Sequence, residues 1–303
     1  MPGVNNYLRA ALGYDIAKDN NMPMTFKTPW DIRTGNCLEL MEAMPDGIAR
    51  LGIADPPYNF GINYGTGSKA DQLPEAQYYE WCEKWIAELV RLLTPDGSLW
   101  IVSPDEHIDA LGMILRKHLK RRQFIKWYET FGVNCKRKFN RTTRFVIHCV
   151  KDGSDFVFNA DDPAIRCKSA RQEKYNDKRA NSKGKLLDDL WSIPRVAGTH
   201  RERIKGFPTQ LPLELCHRIV RCASNPGDLV LDCFSGSATS GVAAIKNGRR
   251  YLGIELNPEY SALSEERLKV SPVWTGPMDI KQISLKLRDS ALAGRSDVFN
   301  SVI

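Results

Sequence analysis

The chain has 303 residues, with 43 Lys/Arg against 36 Asp/Glu for a formal net charge of +7. Its 42% hydrophobic and 26% charged content is ordinary for a globular protein, and the length suffices for a substantial core in one large α/β domain or two smaller ones. No apolar run approaches the roughly 18 residues of a membrane span and no charged-then-apolar leader opens the chain, so a cytoplasmic protein, neither membrane-spanning nor secreted, is expected.

Residues 1–31 show little periodicity and read as an irregular N-terminal arm, and residues 37–44 as a short amphipathic helix. Residues 49–54, apolar but for Arg50, form a predicted strand that delivers Asp55-Pro56-Pro57-Tyr58 and then the polar stretch Asn59-Phe60-Gly61-Ile62-Asn63. In open α/β sheets, ligands bind outside the carboxyl ends of strands. Pro56 and Pro57 lack backbone N–H groups, so they expose carbonyl acceptors without competing donors. Asp55 adds an ionised acceptor and Tyr58 a flat face for stacking. Acceptors beside a stacking surface suit an amino group on an aromatic base. Asp-Pro-Pro is also ordinary turn chemistry, so the tetrad gains its meaning only alongside a second motif.

Residues 78–93 are a predicted helix in which Trp81, Trp85, Leu89 and Leu92 share one buried face, the tryptophans as core rather than as a stacking platform. A turn at Thr94-Pro95-Asp96-Gly97, a strand at 98–103, a helix at 107–119 and strands at 124–131 and 144–150 follow. His148 reads as a packed side chain. The eight cysteines include no C-x-x-C pair and the five histidines do not cluster. Cys37, Cys82, Cys149 and Cys233 therefore read as reduced core residues, and no metal site is expected.

Positive charge is concentrated. Residues 116–144 hold 11 Lys/Arg and one acid, and residues 166–205 hold 12 Lys/Arg and five acids, so the remainder is acidic. Such concentration is the footprint of a phosphate-backbone partner, against the alternative of a solvated face. The helix and strand pattern breaks down over residues 151–205, where Ser169-Ala170-Arg171-Gln172-Glu173-Lys174-Tyr175 and Asp177-Lys178-Arg179-Ala180-Asn181 cannot bury a core of their own.

Residues 208–220 are expected to contain a helix. Asp228-Leu229-Val230-Leu231-Asp232-Cys233-Phe234 then reads as a buried strand, Ser235-Gly236-Ser237-Ala238-Thr239-Ser240 as a turn, 241–247 as a helix and Tyr251-Leu252-Gly253-Ile254 as a second strand ending at Glu255. This is a βαβ unit with a carboxylate about 20 positions past the turn, the arrangement in which an acid holds ribose hydroxyls. Small residues at the turn let a ligand approach backbone N–H groups that open a helix. Ala238 stands where a full dinucleotide fingerprint would have glycine, so the turn suits an adenosyl ligand better. Residues 271–303 form a tail with one amphipathic stretch at 280–291.

Together these motifs resemble the amino-group DNA methyltransferases that use S-adenosylmethionine, in the β arrangement with the catalytic motif ahead of the cofactor motif. The resemblance spans residues 32–268 and includes Thr34-Gly35-Asn36-Cys37, Phe207-Pro208-Thr209-Gln210-Leu211-Pro212, Asn225-Pro226-Gly227-Asp228 and Glu255-Leu256-Asn257-Pro258-Glu259-Tyr260. It implies an α/β, Rossmann-like methyltransferase sheet with circularly permuted motif order and an inserted, loop-rich target-recognition region. The implied division is an arm (1–31), a catalytic half (32–150), a target-recognition region (151–206), a cofactor-binding half (207–270) and a tail (271–303).

By the same resemblance, catalysis falls to Asp55, Pro56, Pro57 and Tyr58. Cofactor contacts fall to Asn36, Cys37, Pro208, Thr209, Gln210, Asp232, Phe234, Ser235, Gly236, Ser237, Ala238, Thr239 and Glu255. DNA contacts are expected from Arg171, Lys174, Lys178, Arg179, Arg137 and Lys138. Two departures stand out: the family usually has an acid at Asn36, and often cysteine at Ser235 and glycine at Ala238.

The implied activity is methylation of adenine N6 in double-stranded DNA after base flipping, with a homodimer and a cognate restriction endonuclease as candidate partners. Cytosine-N4 methylation and a non-catalytic DNA regulator stay open as alternatives. RNA or protein-glutamine methyltransferases usually carry the motifs in the other order, and a dehydrogenase would need a fuller glycine fingerprint.

Overall fold

The computed structural model describes residues 28–65, 67–151 and 155–271. The N-terminal arm up to residue 27 and the amphipathic stretch at 280–291 lie outside them.

The sheet follows from alternation. In β9 (Leu229–Asp232), Leu229 and Leu231 face one core and Val230 the other; in β10 (Arg250–Glu255), Leu252 and Ile254 oppose Tyr251; in β3 (Leu93–Ser103), Leu99 and Ile101 oppose Trp100 and Val102. Both faces of each strand are apolar, so both must be covered by helices, which is the condition for a parallel sheet.

One layer is α1 (Cys37–Glu42), α2 (Glu75–Leu92) and α3 (Ile108–His118). The opposite layer includes α4 (Leu213–Ala223), α5 (Thr239–Lys246) and the end of α6 (Pro258–Lys269). The eight strands run β1-β10-β9-β2-β3-β5-β4-β8, with β1 (Trp30–Thr34), β2 (Ala49–Ala54), β4 (Arg121–Val133), β5 (Arg141–Val150) and β8 (Leu190–Ser192) completing the set, while β6 (Arg166–Cys167) and β7 (Lys185–Leu186) pair in a small antiparallel sheet. The pairs from β1 to β3 are parallel, β5 is antiparallel to both neighbours, and β8 adds in parallel to β4.

This order creates the site. β2 and β9 are neighbours, with Ile53 opposite Asp232. The chain leaves β2 toward α2 on one layer and leaves β9 toward α5 on the other. Between two strands whose connections depart to opposite faces a crevice must open at the carboxyl ends, the usual ligand position in such sheets. Asp55 and the residues after Asp232 both stand there.

Several elements differ from expectation. Trp30 and Asp31, read as the end of the arm, begin β1 beside Tyr251 and Leu252. The turn residues Thr94–Gly97 sit inside β3, where the register against β2 shifts between Ala49 and Leu51. The helix expected over 208–220 starts at Leu213, because Pro212 lacks an N–H and forces Leu211 to be extended. Among its described residues, the segment 151–205 forms no core cluster of its own, yet it lends Ile165, Trp191 and Ile193 to the core on one face of the sheet and buries Val196. Trp191 in β8 packs against Trp100, and His148 stacks on Trp100 with ring centroids 4.2 Å apart. Cys37, Cys82, Cys149 and Cys233 are buried and form no disulfide. Among the described residues, no helix is long and apolar enough to cross a membrane.

Candidate active site

A cavity of about 320 Å³ occupies the crevice. Asp55, Pro56, Pro57 and Tyr58 line one wall, directly after β2. Two of the tetrad's carbonyls are engaged from outside: Tyr78 donates its hydroxyl to the Pro57 carbonyl at 3.0 Å, and His107 Nε2 lies 2.8 Å from the Tyr58 carbonyl. A carbonyl can only accept, so Nε2 carries the proton, and His107 Nδ1 takes the Tyr79 hydroxyl at 3.0 Å. Tyr58 donates its hydroxyl to Asp55 Oδ1. Among the described residues, no donor reaches Asp55 Oδ2 or the Pro56 carbonyl, which leaves two acceptors at the wall.

The loop after the tetrad is held by a carboxylate rather than by secondary structure. Asp71 accepts from the backbone N–H groups of Asn59, Phe60 and Ile62 at 2.8, 3.1 and 2.9 Å. Asn59, with φ of 60°, exchanges two hydrogen bonds with Leu73. The loop then crosses to the other wall: Asn257 Nδ2 donates to the Tyr64 carbonyl at 3.0 Å, and the Tyr64 hydroxyl pairs with Thr209. Gly65 is required at this crossing. Its φ is 98°, and a Cβ there would stand 2.0 Å from the Asn257 side chain.

The second wall is the β9 turn. Phe234 donates its N–H to Asp232 Oδ1 at 3.0 Å, and the Ser240 hydroxyl donates to Asp232 Oδ2. Gly236 and Ala238 both adopt left-handed backbone, φ 49° and 51°. For Ala238 that conformation costs on the order of 1–3 kcal/mol, strain typical of functional turns. The Gly236 N–H donates to Glu255 Oε2 at 2.8 Å and the Asn257 N–H to Oε1 at 2.9 Å. Arg267 holds the turn from behind, donating to the Ser237 carbonyl at 2.6 Å and to Thr239 Oγ1 at 2.9 Å. Phe234 packs between Trp81 and Trp85, at ring distances of 5.5 and 5.2 Å.

Burial sets the electrostatics. It pushes the Asp55 carboxyl up, opposed by the Arg144 guanidinium and the Tyr58 hydroxyl. It raises Asp232 to about 7, with Ser240 and the Phe234 N–H pulling the other way, and it raises Glu255 against its backbone donors.

All but one of the residues expected to contact cofactor or carry catalysis line this cavity; Ala238 is wholly buried behind the turn. Asn36 and Gln210 are among the lining side chains already engaged within the protein. Asn36 Oδ1 caps α1 through the Leu38 N–H at 2.9 Å, and the Gln210 amide spans the Glu202 carbonyl and the Ile204 N–H at 2.7 and 3.1 Å. The six basic residues expected at DNA do not line the cavity. Arg137 and Lys138 are exposed on the loop between β4 and β5, and Arg171, Lys174, Lys178 and Arg179 on the segment around the one-turn helix Ala170–Glu173.

Sequence reasoning missed Asp71, whose partners lie 9 to 12 positions away, and Tyr64, His107 and Asn257, which act through partners far along the chain. It assigned Trp81 to the core, whereas Trp81 is half-buried and lines the cavity. It counted Arg144 in a surface charge run, whereas Arg144 pairs with Glu129 at 3.2 Å, its guanidinium 5.2 Å from the Tyr58 ring centroid. The usable signal was the strand expected to begin at Arg144, since in a strand Arg144 must share a face with Val146, a core residue.

The family model described as DNA methylase matches residues 49–266, from β2 into α6. The DNA adenine methyltransferase YhdJ of Escherichia coli (strain K12) is 34% identical over 243 residues, 78% of this chain and 82% of that protein. The type II methyltransferase M.HpaI of Haemophilus parainfluenzae is 32% identical over 235 residues, 77% of this chain and 72% of that protein. Among solved structures, the M1.HpyAVI–SAM complex superposes with a TM-score of 0.57 at 24% identity, covering 79% of this chain and 98% of that one, and so shares the fold. With a matched family model across both walls of the cavity and relatives of this identity along most of its length, the chain belongs to the N6/N4 DNA methylase family.

Proposed function

We propose that this methyltransferase transfers a methyl group from S-adenosylmethionine to the N6 amino group of adenine in double-stranded DNA, with the base flipped into the cavity. The observation that carries this reading is the meeting, in one crevice, of the Asp55, Pro56 and Tyr58 groups with the Asp232–Gly236 turn and Glu255.

The residues present fit the donor. Glu255 offers a carboxylate for ribose hydroxyls, and a Cβ at Gly236 would meet nothing nearer than 3.8 Å, so the backbone there is open to close approach. When bound, S-adenosylmethionine supplies a methyl group already activated on a sulphonium. Asn36, Cys37, Pro208, Thr209, Gln210, Asp232, Phe234, Ser235, Ser237 and Thr239 enclose the same space.

The chain's own work is positioning. The adenine N6 lone pair is delocalised into the ring. Asp55 Oδ2 and the Pro56 carbonyl accept the two N6–H bonds, favouring a pyramidal nitrogen with its lone pair aimed across the cavity. Tyr58 stacks on the flipped ring, a contact of about 1–3 kcal/mol. Pro57 keeps the turn rigid.

DNA is gripped outside the cavity. The loop of Lys136, Arg137, Lys138 and Phe139, the last 98% exposed, is carried by the strands that bring Arg141 and Arg144 to the site. A cationic loop ending in an exposed ring suits phosphates beside an opened base step. Residues 151–206, with Arg171, Lys174, Lys178 and Arg179, are the proposed target-recognition region between the catalytic half 32–150 and the cofactor half 207–270. The protein is proposed to work in the cytoplasm, and a second copy and a cognate endonuclease are its candidate partners, read by sedimentation and copurification.

Transfer of radiolabelled methyl groups to duplex DNA, followed by long-read sequencing of the product, tests the proposal. N6-methyladenine at a defined site is expected; N4-methylcytosine, or no transfer, overturns it.

A further inference from the structure

We infer that Arg144, held by Glu129, is the internal counter-ion of Asp55 and keeps that carboxylate ionised as an acceptor for the target amino group. The inference rests on the catalytic assignment of Asp55.

The arrangement follows from the β4–β5 pairing. Trp127 stands directly opposite Arg144, and Glu129, two residues further along β4, shares its face. Arg144 Nε lies 3.2 Å from Glu129 Oε1, and its guanidinium sits 5.9 Å from the Trp127 ring centroid and 5.2 Å from that of Tyr58. The Tyr58 hydroxyl, which donates to Asp55, also meets the Arg144 side chain. A continuous chain therefore runs from Glu129 through Arg144 and Tyr58 to Asp55.

Counting charge shows why it matters. Glu129 is 6% exposed and burial penalises Asp55 strongly. The charge of Glu129 adds to the burial penalty on the Asp55 carboxylate unless a cation stands between them. Arg144 is the cation this chain supplies, and burial does not neutralise it, because its anionic neighbours hold its proton. Among the described residues, the other titratable groups facing Asp55 give no positive charge: Tyr58 and Tyr64 on the adjoining loop, Asp232 at the end of β9 and Cys216 on α4. A neutral Asp55 would carry a hydroxyl donor on one oxygen and keep only an uncharged acceptor on the other, which weakens its hold on the amino group. The exposed Lys136, Arg137 and Lys138 of the same run can serve DNA; Arg144 serves the carboxylate.

The test is the pH dependence of kcat and KM for methyl transfer to duplex DNA, with thermal unfolding and calorimetric S-adenosylmethionine binding confirming that each variant is folded and loaded. In Arg144→Met the acid limb of kcat is expected to move up by at least one pH unit, which is about tenfold in rate on that limb. Arg144→Lys should keep the limb near its wild-type position. Glu129→Gln should move it down, and Glu129→Gln added to Arg144→Met should recover part of the lost rate. A residue that only packs on Tyr58 would lower kcat with the limb unmoved, and that result overturns the inference. Should Arg144→Met not fold, the opposite displacement in Glu129→Gln decides the matter alone. Asp55→Asn separates the two levels: if it transfers methyl at the wild-type rate, the assignment of Asp55 itself fails, whereas an inactive Asp55→Asn with an unmoved limb in Arg144→Met removes only the counter-ion.

Discussion

The cavity and the basic loop at residues 134–140 are built on opposite terms. In the cavity, Asp71 holds three N–H groups, Glu255 two, and even the Pro57 and Tyr58 carbonyls are engaged. On the loop, the Cys135 N–H to Asn140 contact at 2.9 Å closes the turn while Lys136, Arg137, Lys138 and Phe139 face outward. The methyl transfer proposed for the cavity tolerates little displacement, which suits residues fixed by many partners. A phosphate backbone is met by charge and reach, which exposed side chains supply without a rigid frame. The same contrast runs within the basic segments. Arg166 binds the carbonyls of Ala160, Lys183 and Gly184, whereas Arg171, Lys174 and Lys178 are exposed.

The sharpest way to break this comparison is at Asp55. Asp55→Ala should leave the fold and cofactor affinity intact while methyl transfer falls by at least 10–100-fold, the equivalent of a charged hydrogen bond of about 1.5–3 kcal/mol. Tyr58→Ala should cost the stacking of the flipped base, about 1–3 kcal/mol, and Tyr58→Phe much less. A wild-type rate for Asp55→Ala in the radiolabel assay would detach the tetrad from catalysis.

Next comes Glu255. Glu255→Ala should weaken S-adenosylmethionine binding by about 1.5–3 kcal/mol. The melting temperature should fall with it, because the Gly236 and Asn257 N–H groups lose their acceptor. Calorimetry that finds affinity unchanged while stability drops would make Glu255 a brace of the turn and nothing more.

The outer region predicts a different signature. Neutralising Arg171, Lys174, Lys178 and Arg179 should reduce DNA affinity and flatten its salt dependence, by up to about 0.9 in slope for each phosphate no longer neutralised, with cofactor binding unaffected. Arg179 should contribute least, since it is already paired with Asp177 at 2.9 Å. If the slope stays the same, Lys136, Arg137 and Lys138 become the backbone contacts, and the same titration on their neutralised variant shows it.

A further effect concerns pH and stability. Asp232, ordinarily near 3.8, is pushed up to about 7 in the folded protein. A raised folded pKa means that its contribution is complete below the unfolded value and is lost as pH rises through the folded one. Asp232→Asn should therefore flatten the decline of melting temperature between about pH 4 and pH 7; an unaltered curve would show that Asp232 is ionised throughout.

The amino-acid sequence by itself determined the two strand ends and their turns. Alternating apolar residues and the stops imposed by Pro56, Pro57 and Gly236 are properties of near neighbours, so β2, β9 and β10 and the motifs after them are legible in the order of residues alone. Pro212 moved the start of α4 by a local rule that was equally readable, and Trp30 entered β1 only because β10 was there to pair with it. Tertiary structure decided everything that depends on distant partners. Asn257 meets Tyr64 across 193 positions and His107 meets Tyr58 across 49. Arg144 looked like one more cation in a surface run until the pairing of β4 with β5 laid it over Tyr58. Periodicity reports which face a side chain takes. What stands opposite that face is fixed only when the strands have chosen their neighbours.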